Sequence, residues 1–288
     1  MSVEFQFDGE VPEARPAATV LVLRDGLAGP EVFLLRRSAD ARFMGGAYVF
    51  PGGRVDPGDA DPALRCDLTP EQAAARIREP DPALALALHV AAIRECVEES
   101  GIFLAEGPLT DDALRALRAS LSGRGAPPLA QVLPPGVTLR VASLVPLARW
   151  ITPRLESRRF DARFFIARAP DSVEGASHDG RETVASEWMT PSAALERAQR
   201  REIVLAPPTW RVLAEVARVD SVDAALSLAP AVIAPCEPVV QREGDEVHVV
   251  LPDDAAHPDA PGEPDHDLPT RFRYDDGAWI PVRAPRRG

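Results

Sequence analysis

The chain has 288 residues, of which 45% are hydrophobic and 26% charged, so it can bury the core of a mid-sized soluble domain with additions. Its formal net charge of -12 argues against a broad nucleic-acid-binding surface. The three cysteines form no CxxC pattern, and no secretory signal or long apolar run is present. We therefore expect a cytoplasmic protein that binds neither nucleic acid nor membrane.

The first predicted elements are strands. Residues 17–23 and 31–36 predict a hairpin, and a short strand at 47–50 runs into a glycine turn. A helix is predicted over 82–100, where Gly101 is a suitable residue to end it. The elements predicted after it are a helix at 111–122, strands at 139–150, 159–167 and 183–189, and helices at 191–199 and 208–219. This mixture predicts a layered α/β domain rather than a helix bundle or an all-β sandwich.

The composition changes near residue 231, where short β-type runs surround a segment rich in Pro and Asp at 252–269. We predict two units, a domain over 15–229 and a small β-rich appendage over 230–288. No pattern indicates an oligomeric state.

The residues that carry chemistry lie at the end of the helix predicted over 82–100. Glu95, Glu98 and Glu99 are spaced i, i+3 and i+4, so they share one helix face. Clustered carboxylates repel each other, and a hard divalent cation such as Mg²⁺ or Mn²⁺ turns that repulsion into binding. Arg94 adjoins them and could pair with a carboxylate or a substrate phosphate. The alternative is a solvated acidic face that ends at Gly101.

These residues resemble the Nudix box. The order R-E-(apolar)-x-E-E-x-G-(apolar) at 94–102 is similar to the second half of the box. Its first half is similar to the segment in which Gly53 is followed, after five residues, by Asp59. Asp59 stands where the family usually has Glu. The family places seven residues between the halves, whereas this chain has 60–93, so we predict an insertion at about 60–82. An insertion between a loop and a helix can leave the catalytic face intact.

The resemblance implies a Nudix α/β/α sandwich with a mixed central sheet, and hydrolysis of a nucleotide diphosphate with Mg²⁺ or Mn²⁺ as cofactor. It implies that Glu95, Glu98 and Glu99 bind the metal. Glu95 or Glu182 would orient or deprotonate the attacking water, with Arg94 as a further catalytic residue. Glu182 is included because Nudix enzymes often carry such a glutamate before a late strand.

A second resemblance is to the Nudix enzymes that act on coenzyme A, and it rests on residues 33–53 and on the run RFMGGAYVFPGG. Phe33 and Leu35 depart from that signature. It implies a nucleotide-diphosphate substrate, CoA or acyl-CoA, cleaved to 3′,5′-ADP and (acyl-)phosphopantetheine. The substrate-binding residues that we predict are Arg37, Arg42, Gly52, Gly53 and Arg54. ADP-ribose, NADH or a nucleotide sugar remains an alternative substrate, and a non-catalytic nucleotide-binding module is a second alternative.

Overall fold

The computed structural model describes residues 11–40, 44–123, 125–171, 173, 175–260 and 268–282. Within these ranges the main sheet has nine strands, β1 (Arg15–Gly26), β2 (Gly29–Arg37), β3 (Ala47–Val49), β4 (Gly52–Arg54), β7 (Val145–Ile151), β8 (Phe160–Arg168), β9 (Thr183–Met189), β10 (Val204–Leu205) and β11 (Pro235–Cys236). A two-stranded sheet consists of β5 (Ala105–Glu106) and β6 (Thr138–Leu139). A four-stranded sheet consists of β12 (Val239–Glu243), β13 (Glu246–Val250), β14 (Arg271–Asp275) and β15 (Ala278–Val282).

The helices in these ranges are α1 (Pro70–Ile77), α2 (Pro82–Ser100), α3 (Asp111–Leu121), α4 (Leu129–Val132), α5 (Pro191–Gln199), α6 (Pro207–Val216) and α7 (Val222–Leu226). Two 3₁₀ turns are formed by Pro57–Ala60 and Val141–Ser143. In the part of the chain that the structure describes, no helix is long and apolar enough to cross a membrane.

The main sheet is mixed, as the sequence predicts. Its strand order is β10-β3-β2-β1-β8-β7-β11, with β4 paired to β1 and β9 paired to β2. Strand β1 runs antiparallel to β2 and β4 and parallel to β8. The predicted hairpin is therefore confirmed, and β1 connects the glycine strand β4 to the centre of the sheet.

Helix α2 is the central element on one face of this sheet. It begins at Asp81, whose carboxylate accepts the N–H groups of Ala83 and Leu84, and it ends at Gly101 with a φ of 75°. Val90 and Ile93 are fully buried in the cluster between the helix and the sheet. Each such side chain contributes roughly 1.5–3 kcal/mol through burial, and this packing fixes the orientation of the acidic end of α2.

The opposite face of the sheet carries α5, α6, α7 and the C-terminal sheet. Val249, Phe272 and Trp279 of the C-terminal sheet pack in one buried cluster with Trp210 and Leu213 of α6. The fold is thus layered α/β with a small antiparallel sheet, as predicted. One detail differs, because β11 lies within the predicted appendage but pairs with β7 of the main sheet.

The segment that the sequence pattern marks as an insertion is folded against α2. It follows the 3₁₀ turn at Pro57–Ala60 and contains α1, whose Thr69 cap and Gln72 form a capping box. Ala73 and Ile77 bury one side of α1 in the same cluster as α2. The 3₁₀ turn before this segment also contacts α2, so residues 57–60 and the end of α2 are adjacent in space.

Candidate active site

The two halves of the acidic motif are joined by a buried ion pair. Arg94 donates from Nε and Nη2 to the two carboxylate oxygens of Asp59, at 2.7 and 2.9 Å. The same guanidinium donates to the Glu95 carboxylate at 2.8 Å and to the Arg54 carbonyl at 2.8 Å. Arg94 and Asp59 are only 7% and 1% exposed. The nitrogens of Arg94 are thus occupied by groups of the protein, and its catalytic role stays a prediction.

Gly53 allows α2 to approach strand β4 closely, and Gly52 allows β1 to do so. The N–H of Gly52 donates to Glu99 Oε2 at 3.1 Å. A Cβ at Gly53 would lie 2.4 Å from the Glu95 carboxylate, and one at Gly52 would lie 2.5 Å from the Ala18 carbonyl oxygen. Any larger side chain would displace these groups. The two predicted glycines therefore shape the acidic cluster, in addition to any contact with substrate.

The three glutamates are partly or fully withdrawn from water. Burial, followed by the nearby Glu95 carboxylate, raises the pKa of Glu98 to about 7. Burial and Glu95 also raise the pKa of Glu99 well above its usual value, against the opposing effect of the Gly52 N–H. Burial raises the pKa of Glu95, although Arg94 opposes this. The protein thus holds carboxylates together at an electrostatic cost that a cation would offset.

The donor chemistry of this cluster fits a hard divalent cation, because all three groups are carboxylates. However, among the described residues no three His, Cys, Asp or Glu side chains are arranged to hold a metal ion. Two of the three carboxylates are hydrogen-bonded within the protein, since Glu95 accepts from Arg94 and Glu99 accepts from Gly52. The assignment of Glu95, Glu98 and Glu99 as metal ligands therefore stays a prediction.

Glu182 lies beside the cluster on the loop before β9. Its side chain is 69% exposed, and its carboxylate is 4.0 Å from Arg37 Nη2. Its carbonyl accepts the Ser38 N–H at 2.8 Å, which ties this loop to the end of β2. The negative charge of Glu182 contributes to the raised pKa of both Glu98 and Glu99. The structure therefore brings Glu182 to the site that the sequence predicts for it.

Arg37 lines the same site with an incomplete set of partners. Its Nε is buried and has no hydrogen-bond partner among the described residues. Its charge opposes the upward shift of the pKa of Glu99. A buried N–H without a partner is costly, so Arg37 is suited to receive an anionic oxygen. Arg54 also lines the cleft with an exposed side chain, whereas Arg42 lies outside the described residues.

These residues form one end of a large cleft of about 1680 Å³. The polar end contains the glutamates of α2, Arg37, Arg54 and the glycines of β4. The same cleft is also lined by Trp150, Phe164 and residues of the C-terminal sheet. A space of this size accommodates a ligand much longer than a diphosphate.

A family model described as the NUDT19 Nudix domain matches residues 73–219, which is just over half of the chain. The chain belongs to this family. The match contains Glu95, Glu98, Glu99 and Glu182, and it begins after Asp59. Nudix enzymes are typically metal-dependent, which agrees with the donor chemistry of the acidic cluster.

Similar proteins support the same family. A Xenopus laevis protein named acyl-coenzyme A diphosphatase NUDT19 is 24% identical, over 88% of this chain and 78% of its own length. A Gallus gallus protein of that name is 26% identical, over 80% of this chain and 74% of its own length. The crystal structure of a NUDIX hydrolase from Alicyclobacillus acidocaldarius matches this chain with a TM-score of 0.61 and 29% sequence identity. The match covers 78% of this chain and all of that chain.

Two residues of this Nudix site lie outside the sequence patterns. Asp179 accepts the N–H groups of Arg181, Glu182 and Thr183 and so shapes the loop that carries Glu182. Burial alone would raise the pKa of Asp179, but these donors lower it overall. Arg118 of α3 donates to the carbonyls of Glu98 and Glu99 at 3.1 and 2.9 Å. Asp179 and Arg118 do not belong to the Nudix box. The sequence signal that could have indicated Asp179 is its position three residues before Glu182, and Arg118 has no such signal.

We predict that Arg118→Ala destabilises the end of α2. Arg118 also donates to the Ser177 hydroxyl and carbonyl, so its loss leaves several acceptors without a partner. The free energy of unfolding should fall by about 1–3 kcal/mol in urea denaturation. Arg115→Ala is the matched control on the same helix, because Arg115 is 70% exposed and pairs with the exposed Asp112. Equal effects of the two substitutions would contradict the role given to Arg118.

Proposed function

We propose that this Nudix domain hydrolyses the diphosphate bond of CoA or acyl-CoA, with Mg²⁺ or Mn²⁺ as cofactor, to 3′,5′-ADP and (acyl-)phosphopantetheine. The observation that carries the proposal is the packing of three α2 glutamates against the glycine strand β4, at the polar end of a long cleft. The name of the Xenopus laevis and Gallus gallus relatives supports the choice of acyl-CoA.

In this proposal Glu95, Glu98 and Glu99 hold the cation. When bound, a divalent cation supplies positive charge to the diphosphate oxygens and makes water a better nucleophile. Arg94 fixes the Glu95 carboxylate, and Asp59 fixes Arg94, so the glutamates are oriented before substrate arrives. The N–H of Gly52 holds Glu99 in the same way.

We assign the acceptance of the water proton to Glu182. Glu95 is the other candidate, but its carboxylate is engaged by Arg94 at 2.8 Å, whereas the Glu182 side chain is largely exposed and its carboxylate is 4.0 Å from Arg37 Nη2. The water oxygen forms a bond to one phosphorus as the bridging P–O bond breaks, and the leaving phosphate retains that electron pair. Arg37 would neutralise charge on the phosphate oxygens.

The substrate is tested by a panel of diphosphates. Purified full-length chain is incubated with CoA, dephospho-CoA, ADP-ribose and NADH, with Mg²⁺ and with Mn²⁺, and the nucleotide products are separated by chromatography. The proposal expects 3′,5′-ADP from CoA and a lower kcat/KM for dephospho-CoA and the other two substrates. A preference for ADP-ribose or NADH over CoA would retain the diphosphatase chemistry and reject the CoA assignment.

We predict that Arg37→Ala weakens productive binding of the diphosphate. Loss of a charge-assisted hydrogen bond of roughly 1.5–3 kcal/mol corresponds to a decrease in kcat/KM of about 10- to 100-fold. Arg36→Ala is the matched control, since Arg36 is the neighbouring residue on β2, is exposed and does not line the cleft. Steady-state kinetics that show equal kcat/KM values for Arg37→Ala and Arg36→Ala would reject the phosphate-binding role.

A further inference from the structure

The cleft has an apolar arm beyond its catalytic end. The arm is lined by uncharged side chains of the main sheet, of the start of α6 and of the C-terminal sheet, namely Phe50, Trp150, Phe164, Pro207, Val249 and Trp279. All six are buried, and five of them belong to a single hydrophobic cluster. The only side-chain hydrogen-bonding groups among them are the two indole N–H groups. The arm is therefore suited to an apolar ligand group.

The arm is continuous with the catalytic end through a row of paired strand residues. Arg54 of β4 lies opposite Ala17 of β1, which lies opposite Ala162 of β8, which lies opposite Trp150 of β7. All four residues line the cleft. Three strand spacings separate the ends of this row, which gives about 14 Å. A ligand that spans the cleft would therefore extend at least this far from Arg54, whose carbonyl contacts Arg94 beside the glutamates, to reach Trp150 of the arm.

One wall of the arm comes from the C-terminal sheet. Val249 of β13 and Trp279 of β15 line the cleft and are each 5% exposed. This sheet is tied to α6, because Arg211 donates to the Asp253 carboxylate at 2.7 Å and to the Pro269 carbonyl at 3.2 Å. Both wall residues follow residue 219, where the match to the family model ends. The wall is therefore a feature of this chain outside the matched domain.

We propose that the C-terminal sheet closes a subsite for the aliphatic acyl chain of an acyl-thioester substrate, so that Val249 and Trp279 set the preferred chain length. The inference rests on the proposed acyl-CoA diphosphatase function. An acyl chain fits better than an adenine ring, because none of the six side chains of the arm can accept a hydrogen bond from the adenine amino group. Each further buried methylene group strengthens binding by about fourfold.

The test compares octanoyl-CoA with acetyl-CoA as substrates of the full chain. In the unsubstituted protein, kcat/KM for octanoyl-CoA is expected to exceed that for acetyl-CoA by at least about 10-fold. Val249→Phe fills the arm and is expected to lower this ratio by about 10-fold or more. The matched control is Val240→Phe, because Val240 pairs with Val249 on the neighbouring strand and packs in the same cluster but does not line the cleft. Its ratio should stay within about twofold of the unsubstituted value.

Val249→Ala provides a second variant if the larger side chain prevents folding. It widens the arm, and the optimum in a series from acetyl-CoA to palmitoyl-CoA is expected to move to longer chains. A kcat/KM that does not depend on the length of the acyl chain overturns the subsite. So does an octanoyl-CoA to acetyl-CoA ratio of kcat/KM that falls equally in Val249→Phe and Val240→Phe. An equal loss for both substrates in Val249→Phe also overturns it, because the arm would then hold a group common to both. Absence of turnover of every CoA species by the unsubstituted protein instead rejects the proposed function.

Discussion

Glu98→Gln is expected to reduce metal-dependent diphosphate hydrolysis by at least about 100-fold while leaving the protein folded. The substitution keeps the size of the side chain and removes one charged oxygen donor from the acidic cluster. Glu98 differs from its neighbours because its nearest protein cation, Arg94, is 3.9 Å away, so its carboxylate is the least engaged of the three. Steady-state kinetics with saturating Mg²⁺ or Mn²⁺ measure the loss.

The stability of the same variant separates a chemical role from a structural one. Burial and the Glu95 carboxylate raise the pKa of Glu98 to about 7, so the charged form of Glu98 is disfavoured in the folded protein. We therefore expect the melting temperature of Glu98→Gln, measured in chelator, to equal or exceed that of the unsubstituted protein. Glu196→Gln is the matched control, because Glu196 is a largely exposed helix residue of α5. Full activity of Glu98→Gln would exclude Glu98 from the site, and a collapse in melting temperature would make its role structural.

The second large effect is expected at the buried ion pair that joins the two halves of the box. Asp59→Ala removes the two carboxylate oxygens that accept from Arg94 Nε and Nη2, and it leaves part of a buried guanidinium without a counter-charge. Breaking such a pair on one side costs roughly 3–5 kcal/mol. Arg94 retains Glu95 and the Arg54 carbonyl, so we expect a loss of about 3 kcal/mol in the free energy of unfolding.

Urea denaturation monitored by circular dichroism measures this loss. Asp112→Ala is the control, since Asp112 pairs with Arg115 at the surface with a side chain that is 91% exposed. Its cost should stay below about 1 kcal/mol. Activity should also fall in Asp59→Ala, because Arg94 would no longer be held in place to orient Glu95. Equal stability losses for the two aspartates would mean that the 3₁₀ turn carrying Asp59 is held to α2 without help from this pair.

Much of the catalytic end could be predicted from the sequence because its signals are local. Three glutamates spaced along one helix turn, with Gly101 after them, specify a face and an end that need no knowledge of the rest of the fold. The glycines of β4 are also a local signal, because a residue without Cβ indicates that another part of the chain or a ligand approaches the backbone closely there.

The partners of these residues could not be predicted, because they depend on packing between distant segments. From the sequence alone, Arg94 could pair with a carboxylate or with a phosphate. Its partner Asp59 lies 35 positions earlier in the chain, and only the fold brings the two together. Arg118 binds the carbonyls of Glu98 and Glu99 from a different helix, and main-chain acceptors leave no trace in sequence. The wall formed by Val249 and Trp279 is also a product of how the C-terminal sheet packs.

The proposed function is tested most directly by the metal-dependent release of 3′,5′-ADP from CoA. The purified full chain is treated with chelator, exchanged into metal-free buffer, and assayed for products by chromatography before and after addition of Mg²⁺ or Mn²⁺. We expect no cleavage without metal, and equimolar 3′,5′-ADP and phosphopantetheine once either metal is restored. Undiminished cleavage in chelator, or no cleavage of any diphosphate with either metal, would contradict the assignment of the α2 glutamates as the catalytic centre.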